Sequence, residues 1–321
     1  MNSRPSHSFS FVARMLSFIS FCAAAAVFAA ISPVQATPQA AQTATVATSD
    51  LQARAEQGDS SAQYQLAKSL LAHNSSPADT QTAVKWFRAS AAQNNANAEF
   101  LLGYLYEHGQ GVPRDYTLAF QNYRAAALQH HSTAENNLAS LYEHGQGVPR
   151  NAGKAFEWYS AAAQHGNTVA ECNLASLYYV GQGVPRNLEE SIRWFRAAAD
   201  AGTPEAESNL AYFYFNGVAI QRDYPEAARL LKLAAQQGLP AAETNLAYLY
   251  EQGKGVPLDY IASYSWYSRA ISAGDRSGVD NRAALKRLMT AKQRDEAAVL
   301  ATGSSPQTTQ PTTKTFSLLP H

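Results

Sequence analysis

The sequence predicts an all-α fold, a solenoid of six helix-turn-helix repeats with a C-terminal capping helix. Three observations predict it. The pentapeptide Gly-x-Gly-Val-Pro returns at a spacing of 36 residues. A leucine recurs six times at the same spacing, and an alanine stands four residues before each leucine. A fixed period of this length is typical of one supersecondary unit stacked on itself, with atypical units at the ends.

The first helix of each repeat is predicted from the spacing around its leucine. The alanine before it, the leucine and, in five copies, a tyrosine after it follow at i, i+4 and i+8, which places them on one face of an α-helix. A small residue follows each leucine, so a second helix can approach closely. The leucines are Leu66, Leu102, Leu138, Leu174, Leu210 and Leu246.

The turn and the second helix follow from the pentapeptide. Its first glycine tolerates the left-handed conformation that ends a helix, and its proline prevents the helix from continuing. A decayed copy stands at 217–221, and the first repeat has His73-Asn74-Ser75-Ser76-Pro77 instead. An Asp or Asn shortly after each turn is predicted to cap the second helix. These residues are Asp115, Asn151, Asn187, Asp223 and Asp259.

The segments outside the repeats define the predicted domain organisation. Residues 1–36 combine Arg4 and Arg14 with an uncharged apolar stretch, which is typical of a cleaved secretory signal. Residues 37–50 are interpreted as a linker, 51–300 as the solenoid, and 301–321 as a disordered tail. The stretch from Asp280 to Leu300 is expected to be a single polar-faced capping helix. We therefore expect a periplasmic or secreted protein with no membrane insertion after signal cleavage.

The repeats resemble the Sel-one-like repeat family, relatives of the tetratricopeptide repeats. The resemblance rests on the string Ala134-Glu135-Asn136-Asn137-Leu138-Ala139-Ser140-Leu141-Tyr142 and on the turn Gly145-Gln146-Gly147-Val148-Pro149, followed by Trp158-Tyr159. It covers about 59 to 274. It implies a right-handed α–α superhelix, a concave face lined by the first helices, and a role in assembling other proteins, often in envelope, secretion or host-interaction pathways.

The candidate site is a groove formed by the first helices. An asparagine directly precedes the leucine in four repeats, and an amide both donates and accepts hydrogen bonds, which suits an extended peptide. The alternative is that these amides only bond a neighbouring repeat. Aromatic residues two positions after the leucine are candidate anchors. The predicted groove residues are Asn137, Asn173, Asn209, Asn245, Tyr104, Tyr212 and Tyr248.

Other residue patterns do not favour catalysis, metal binding or nucleic-acid binding. A glutamate row (Glu99, Glu135, Glu171, Glu207 and Glu243) is interpreted as complementing the helix dipoles rather than as catalytic carboxylates. His108 and His144 occupy equivalent places but are not expected to share a metal. Basic and acidic residues number 25 each, so no nucleic-acid footprint is visible. We expect no enzyme activity, cofactor or metal.

The sequence thus predicts an exported scaffold that binds a peptide or a partner protein in its groove. A module that binds glycan or peptidoglycan is the first alternative, because tyrosines in the groove would also suit sugars. An envelope hydrolase is a weaker alternative, since no pairing of a nucleophile with a base is visible.

Overall fold

The computed structural model describes residues 49–71 and 76–302, and every regular element in these ranges is an α-helix. The predicted signal segment, the linker up to residue 48, the middle of the first turn and the tail from residue 303 lie outside the described residues. The described residues form two compact units, 49–203 and 204–302. We call them the four-repeat unit and the two-repeat unit and describe each by itself.

The four-repeat unit is a series of helical hairpins preceded by helix α1, which is described from 49 to 56. Each hairpin pairs an even-numbered helix with the next odd-numbered one. The helices are α2 (Ser60–Leu71), α3 (Pro77–Ala91), α4 (Ala96–His108), α5 (Tyr116–Ala127), α6 (Ser132–His144), α7 (Ala152–Gln164), α8 (Thr168–Val180) and α9 (Leu188–Asp200).

The two-repeat unit contains two hairpins and two further helices that pack against the last hairpin. Its hairpins follow the same plan as those of the four-repeat unit. The helices are α10 (Pro204–Asn216), α11 (Tyr224–Gln236), α12 (Pro240–Gln252), α13 (Tyr260–Ser272), α14 (Val279–Leu288) and α15 (Ala291–Ala301).

The cap is where the structure corrects the sequence analysis. The stretch predicted as a single helix is broken at Met289, whose backbone is extended at φ −92° and ψ 143°. Thr290 is the N-cap of α15 and forms a capping box with Gln293. The Thr290 hydroxyl accepts from the backbone N–H of Gln293, and the Gln293 side-chain oxygen accepts from the backbone N–H of Thr290. A capping box is a strong local signal for a new helix start. Two short helices therefore form the cap.

The repeated leucines and alanines form the core, as predicted. All six leucines and the alanines four residues before them are buried. In the four-repeat unit the second helices contribute Phe87, Tyr123, Tyr159 and Phe195, all of which are buried. Fully burying side chains of this size stabilises the fold by about 1.5–3 kcal/mol each relative to leaving them exposed.

The turn between the two helices of a repeat uses both of its glycines. The first ends the helix in the left-handed conformation, as at Gly145 with φ +69°. The second, Gly147, also has positive φ, and a Cβ atom there would overlap the Tyr116 carbonyl oxygen at the start of the preceding repeat's second helix. At Gly147 the turn thus packs backbone against backbone, which leaves no room for a Cβ atom. In the decayed copy, Ala219 holds this position at φ +57°.

The predicted N-caps are confirmed at all five positions. Asp115 accepts from the amides of Thr117 and Leu118, and Asn151 accepts from the Lys154 amide. Asn187, Asp223 and Asp259 cap α9, α11 and α13 in the same way. Each cap typically contributes about 1 kcal/mol.

Replacement of Gly147 by Ala should destabilise the four-repeat unit more than replacement of Gly166 by Ala. Both glycines have positive φ, but the space around a Cβ at Gly166 is empty to 4 Å. Gly166→Ala should therefore cost about 1 kcal/mol of backbone strain, and Gly147→Ala about 2 kcal/mol more from the overlap. Urea denaturation followed by circular dichroism measures both. Equal losses for the two variants would contradict the close packing of the turn.

Candidate partner-binding face

One face of the first helices in repeats two to four stays partly open. We call it the first-helix face, and it comprises the positions five and one before the leucine and two and six after it. Tyr104, Asn137 and Ser140 are partly exposed there, and His108 and His144 are exposed. No position on this face carries a formal charge when the histidines are neutral. Its residues are Asn97, Leu101, Tyr104, His108, Thr133, Asn137, Ser140, His144, Val169, Asn173, Ser176 and Val180.

The asparagines of the four-repeat unit are linked across repeats. The buried Asn173 donates to the Asn136 side-chain oxygen at 3.1 Å, and Asn136 donates to the Asn137 oxygen at 3.2 Å. Asn137 in turn hydrogen-bonds Tyr123 of the preceding repeat. These contacts are of the kind expected if the amides bond a neighbouring repeat. Asn137 is nevertheless partly exposed, so its side chain can also be reached from solvent.

The predicted groove residues of the two-repeat unit also divide by exposure. Tyr212 and Asn245 are partly exposed, whereas Asn209 and Tyr248 are buried. The Lys254 ammonium lies 5.6 Å from the centroid of the Tyr248 ring, and it also lies over the rings of Phe215 and Tyr224. Tyr248 therefore packs with its own repeats, and Tyr212 and Asn245 are the accessible members of this pair of repeats.

A tyrosine–glutamate pair closes three of the hairpins, and the sequence analysis did not find it. Tyr123 donates to Glu107 at 2.6 Å, and Tyr159 donates to Glu143 at 3.0 Å. Tyr267 donates to Glu251 in the same way, at 2.9 Å. Burial is the main reason that the pKa of each of the three phenols is raised, and the adjacent carboxylate raises it further. The pairs are visible in the sequence as a spacing of 16 residues.

Where one member of this pair is missing, the other is missing too. The first repeat has Leu71 and Phe87 at the two positions, and the fourth has Tyr179 and Phe195. The fifth has Phe215 and Leu231. A buried hydroxyl or carboxylate without a partner costs free energy, so the two positions change together.

The glutamate row is largely buried, which the helix-dipole explanation does not require. Glu99, Glu135, Glu207 and Glu243 are buried near the starts of their helices. Side chains from the second helix of the same repeat, or from just after it, bond them. Gln129 donates to Glu99 at 2.7 Å, and Gln237 donates to Glu207 at 3.0 Å. Arg269 pairs with Glu243 at 2.9 Å. These bonded members of the row therefore tie the two helices of their hairpins together.

Glu171 is the member of the row that lacks such a bond. Ala201 stands where repeats two and five have glutamine, and among the described residues the buried Glu171 Oε2 has no hydrogen-bond partner. Burial raises the pKa of Glu171 above its ordinary value of 4.5. A group whose folded-state pKa is raised destabilises the fold as pH rises above its unfolded-state value.

In the third repeat the partner of the buried glutamate is a histidine. His165 Nδ1 lies 2.8 Å and 3.0 Å from the two Glu135 oxygens. His130 lies on the other side, with its Nδ1 3.9 Å from Glu135 Oε1. One ligand atom from each of the three residues lies within 4.8 Å of the others. Two imidazoles and a carboxylate can together hold a divalent transition metal ion.

His130 also occupies an unusual backbone conformation. Its φ is +62°, and four later repeats place Gly166, Gly202, Gly238 and Gly274 at the equivalent position. A side chain with a Cβ atom costs about 1 kcal/mol there. His108 and His144 lie apart from this cluster, since each bonds a carbonyl oxygen of its own helix. Aligning the repeats would have revealed His130 among glycines.

The comparisons with known proteins agree with the helical hairpins described above. The family model for the Sel1 repeat matches six times, at residues 60–95, 96–131, 132–167, 168–203, 204–239 and 240–275. The chain therefore belongs to the Sel1 repeat family, and its fold is the all-α repeat fold that the sequence predicted. Proteins built from these repeats generally act as protein–protein interaction scaffolds and are typically not enzymes.

Several solved structures resemble this one. A Sel1 repeat protein from Oxalobacter formigenes is 28% identical, with a TM-score of 0.62 over 73% of this chain and 94% of that chain. A protective antigen of uropathogenic Escherichia coli with an SLR fold is 23% identical, with a TM-score of 0.43 over 80% and 78% of the two chains. An immunity protein from Pseudomonas aeruginosa is 23% identical, with a TM-score of 0.45 over 67% and 83%. No curated protein matches the chain.

No helix in residues 49–71 or 76–302 is both long and apolar enough to cross a bilayer.

Replacement of Ala201 by Gln should stabilise the four-repeat unit by about 1 kcal/mol at neutral pH, because the new amide can donate to Glu171. The backbone at Ala201 (φ −81°, ψ 0°) matches that of Gln237 (φ −82°, ψ 1°), which makes this bond in its own repeat. The gain should shrink as the pH falls toward 4.5, because the Glu171 carboxylate, whose folded-state pKa lies above 4.5, becomes neutral in the folded protein before it does in the unfolded protein. Urea denaturation at several pH values measures it.

The matched control is the same substitution in a Glu171→Gln background, where there is no carboxylate to satisfy. The account would be contradicted by an equal gain in both backgrounds.

Proposed function

We propose that this protein is an exported scaffold that binds an extended segment of a partner protein along the first-helix face of the four-repeat unit. Tyr104 and Asn137 are the proposed central contacts, with Ser140 one turn along α6 from Asn137 and the buried Asn173 supporting Asn137 through Asn136. In the two-repeat unit, Tyr212 and Asn245 are the proposed contacts, and Asn209 and Tyr248 support them.

The observation that carries the proposal is the chemistry of this face. It offers amides, hydroxyls and an aromatic ring, and it offers no carboxylate, ammonium or guanidinium group. Peptide backbone groups are themselves neutral donors and acceptors, which amides and hydroxyls can match. A partly exposed tyrosine supplies apolar contact area at a low cost in conformational entropy.

The framework beneath the face supports binding without rearrangement. The Asn173–Asn136–Asn137 chain and the Tyr123–Glu107 pair hold the face from below, and they join repeats two, three and four. A surface that is already ordered loses little entropy when a partner binds, so modest contacts can add up to a useful affinity.

Export is the second part of the proposal. It rests on the pattern of residues 1–36, a positive start followed by an uncharged apolar stretch. The proposed locations are the periplasm or the extracellular space, and the proposed pathways are envelope, secretion or host interaction.

Replacement of Tyr104 by Ala should weaken the binding of peptides selected on this protein by about tenfold or more, as is typical of a central aromatic anchor. The peptides are selected from a random display library on the purified full chain, and fluorescence anisotropy measures their affinities. Because the face carries no charge, raising the salt concentration from 50 to 500 mM (about tenfold) should change the affinity less than about threefold.

The control is Gln121→Ala, at an exposed position on the second helix of the same repeat. Selected peptides that bind the Tyr104→Ala variant as tightly as the Gln121→Ala variant would contradict the proposed face. Purified cell-wall sacculi serve as a parallel probe. If no peptide is selected and the protein is instead retained on sacculi in a way that depends on Tyr104, the ligand of this face is a glycan and not a protein.

A further inference from the structure

We propose that His130, Glu135 and His165 form a binding site for a divalent transition metal ion of the zinc type. The site lies in the four-repeat unit, at the junction of the second and third repeats. It stands on observations separate from those that support the first-helix face.

The repeat architecture brings the three ligands together from distant positions. His130 lies in the connection after α5, Glu135 in the first turn of α6, and His165 directly after α7. The hairpin formed by α6 and α7 brings the His165 side chain next to the Glu135 carboxylate. The short connection between α5 and α6 brings the His130 side chain near the same carboxylate. The site therefore exists only when these helices are packed.

The separations are close to those that a metal ion requires. Zinc binds histidine nitrogen and carboxylate oxygen at about 2.0–2.2 Å, so ligand atoms around a tetrahedral ion are about 3.4 Å apart. The two histidine–glutamate separations, 2.8 Å and 3.9 Å, lie on either side of that value. The three ligand atoms lie within 4.8 Å of one another, and the His130 side chain is 76% exposed, so it has room to turn toward the other two ligands.

The donor set determines the class of ion. Two imidazoles and a carboxylate suit Zn²⁺, Co²⁺, Ni²⁺ and Cu²⁺, whereas Mg²⁺ and Ca²⁺ prefer ligands that are all oxygen. The buried carboxylate supplies one negative charge. Both histidines reach the surface, which leaves the fourth coordination position for water.

Two of the three residues replace what other repeats use at the same positions. Repeats two and five bond their glutamates with Gln129 and Gln237, which do so without an imidazole. Repeats three to six end with glycine at the position of His130, where a left-handed backbone favours it. Backbone strain of this kind is found most often at functional sites. The adjacent His131 is not a ligand, because its Nδ1 accepts from the Ala134 amide and caps α6.

The test is isothermal titration of the tag-free full chain with ZnCl₂, together with visible absorption on adding Co²⁺. We expect one Zn²⁺ per chain in the wild-type protein and an absorption spectrum typical of four-coordinate Co²⁺. His130→Gly and His165→Gln should each weaken Zn²⁺ binding by about tenfold or more, since each removes one ligand. MgCl₂ is the negative control and should not bind.

Both substitutions install the residue that other repeats carry, so they should preserve the fold. In the absence of metal, His130→Gly should melt at the same temperature as the wild type or higher, because the strained position becomes glycine. The double variant His108→Asn, His144→Gln keeps the cluster and should bind Zn²⁺ like the wild type.

Three results would overturn the proposal. They are no Zn²⁺ binding by the wild type at millimolar concentration, affinities for His130→Gly and His165→Gln equal to the wild-type affinity, and loss of binding in the double variant alone. The first would leave His165 and Glu135 as a simple ion pair with an exposed histidine nearby.

Discussion

Each hairpin of this protein must satisfy one buried side chain, three residues before the leucine of its first helix. In five repeats that side chain is a glutamate, and in the first it is Gln63, which accepts from Gln93. A carboxylate taken out of water is costly unless a donor reaches it. The donor comes from the second helix or from the residue after it, so the same bond that satisfies the carboxylate also joins the two helices. Differences between the repeats follow from which residue supplies that donor.

Three kinds of residue supply the donor to the glutamate, and in the fourth repeat none of the described residues does. Glutamine gives a neutral structural bond, as at Gln129, and arginine gives an ion pair, as at Arg269. Alanine at 201 leaves the Glu171 carboxylate short of a donor. Histidine at 165 gives a bond that can be exchanged for a metal ion. The residue that bonds the buried glutamate therefore ranges from a structural tie, as at Gln129, to a candidate metal ligand at His165.

The fold was predictable because its determinants are local and repeated. The leucine and alanine positions, the left-handed glycines and the Asp and Asn caps each act within one helix or one turn, so the 36-residue period shows them directly. The two-helix cap was missed, although Thr290 and Gln293 carry a capping-box signal. The sequence does not show which side chains of the first helices are covered. Asn173 and Asn209 are buried although their register pointed them outward.

Contacts between the two helices of a hairpin were harder to infer from one sequence. The tyrosine–glutamate pairs and the bonds to the glutamate row join residues 16 and 30 positions apart, as for Tyr159 with Glu143 and His165 with Glu135. These spacings match no familiar motif. They become visible only when the repeats are aligned and the residues that change together are compared.

The most direct test of this account is to build a second zinc site in the second repeat. There, Asn94, Glu99 and Gln129 occupy the positions of His130, Glu135 and His165. Asn94 already has a φ of +59°, and Gln129 already bonds Glu99. If the position within the repeat determines the role of the buried glutamate, the variant Asn94→His, Gln129→His should bind two Zn²⁺ per chain in titration. A folded variant that still binds only one, or none, would contradict the account.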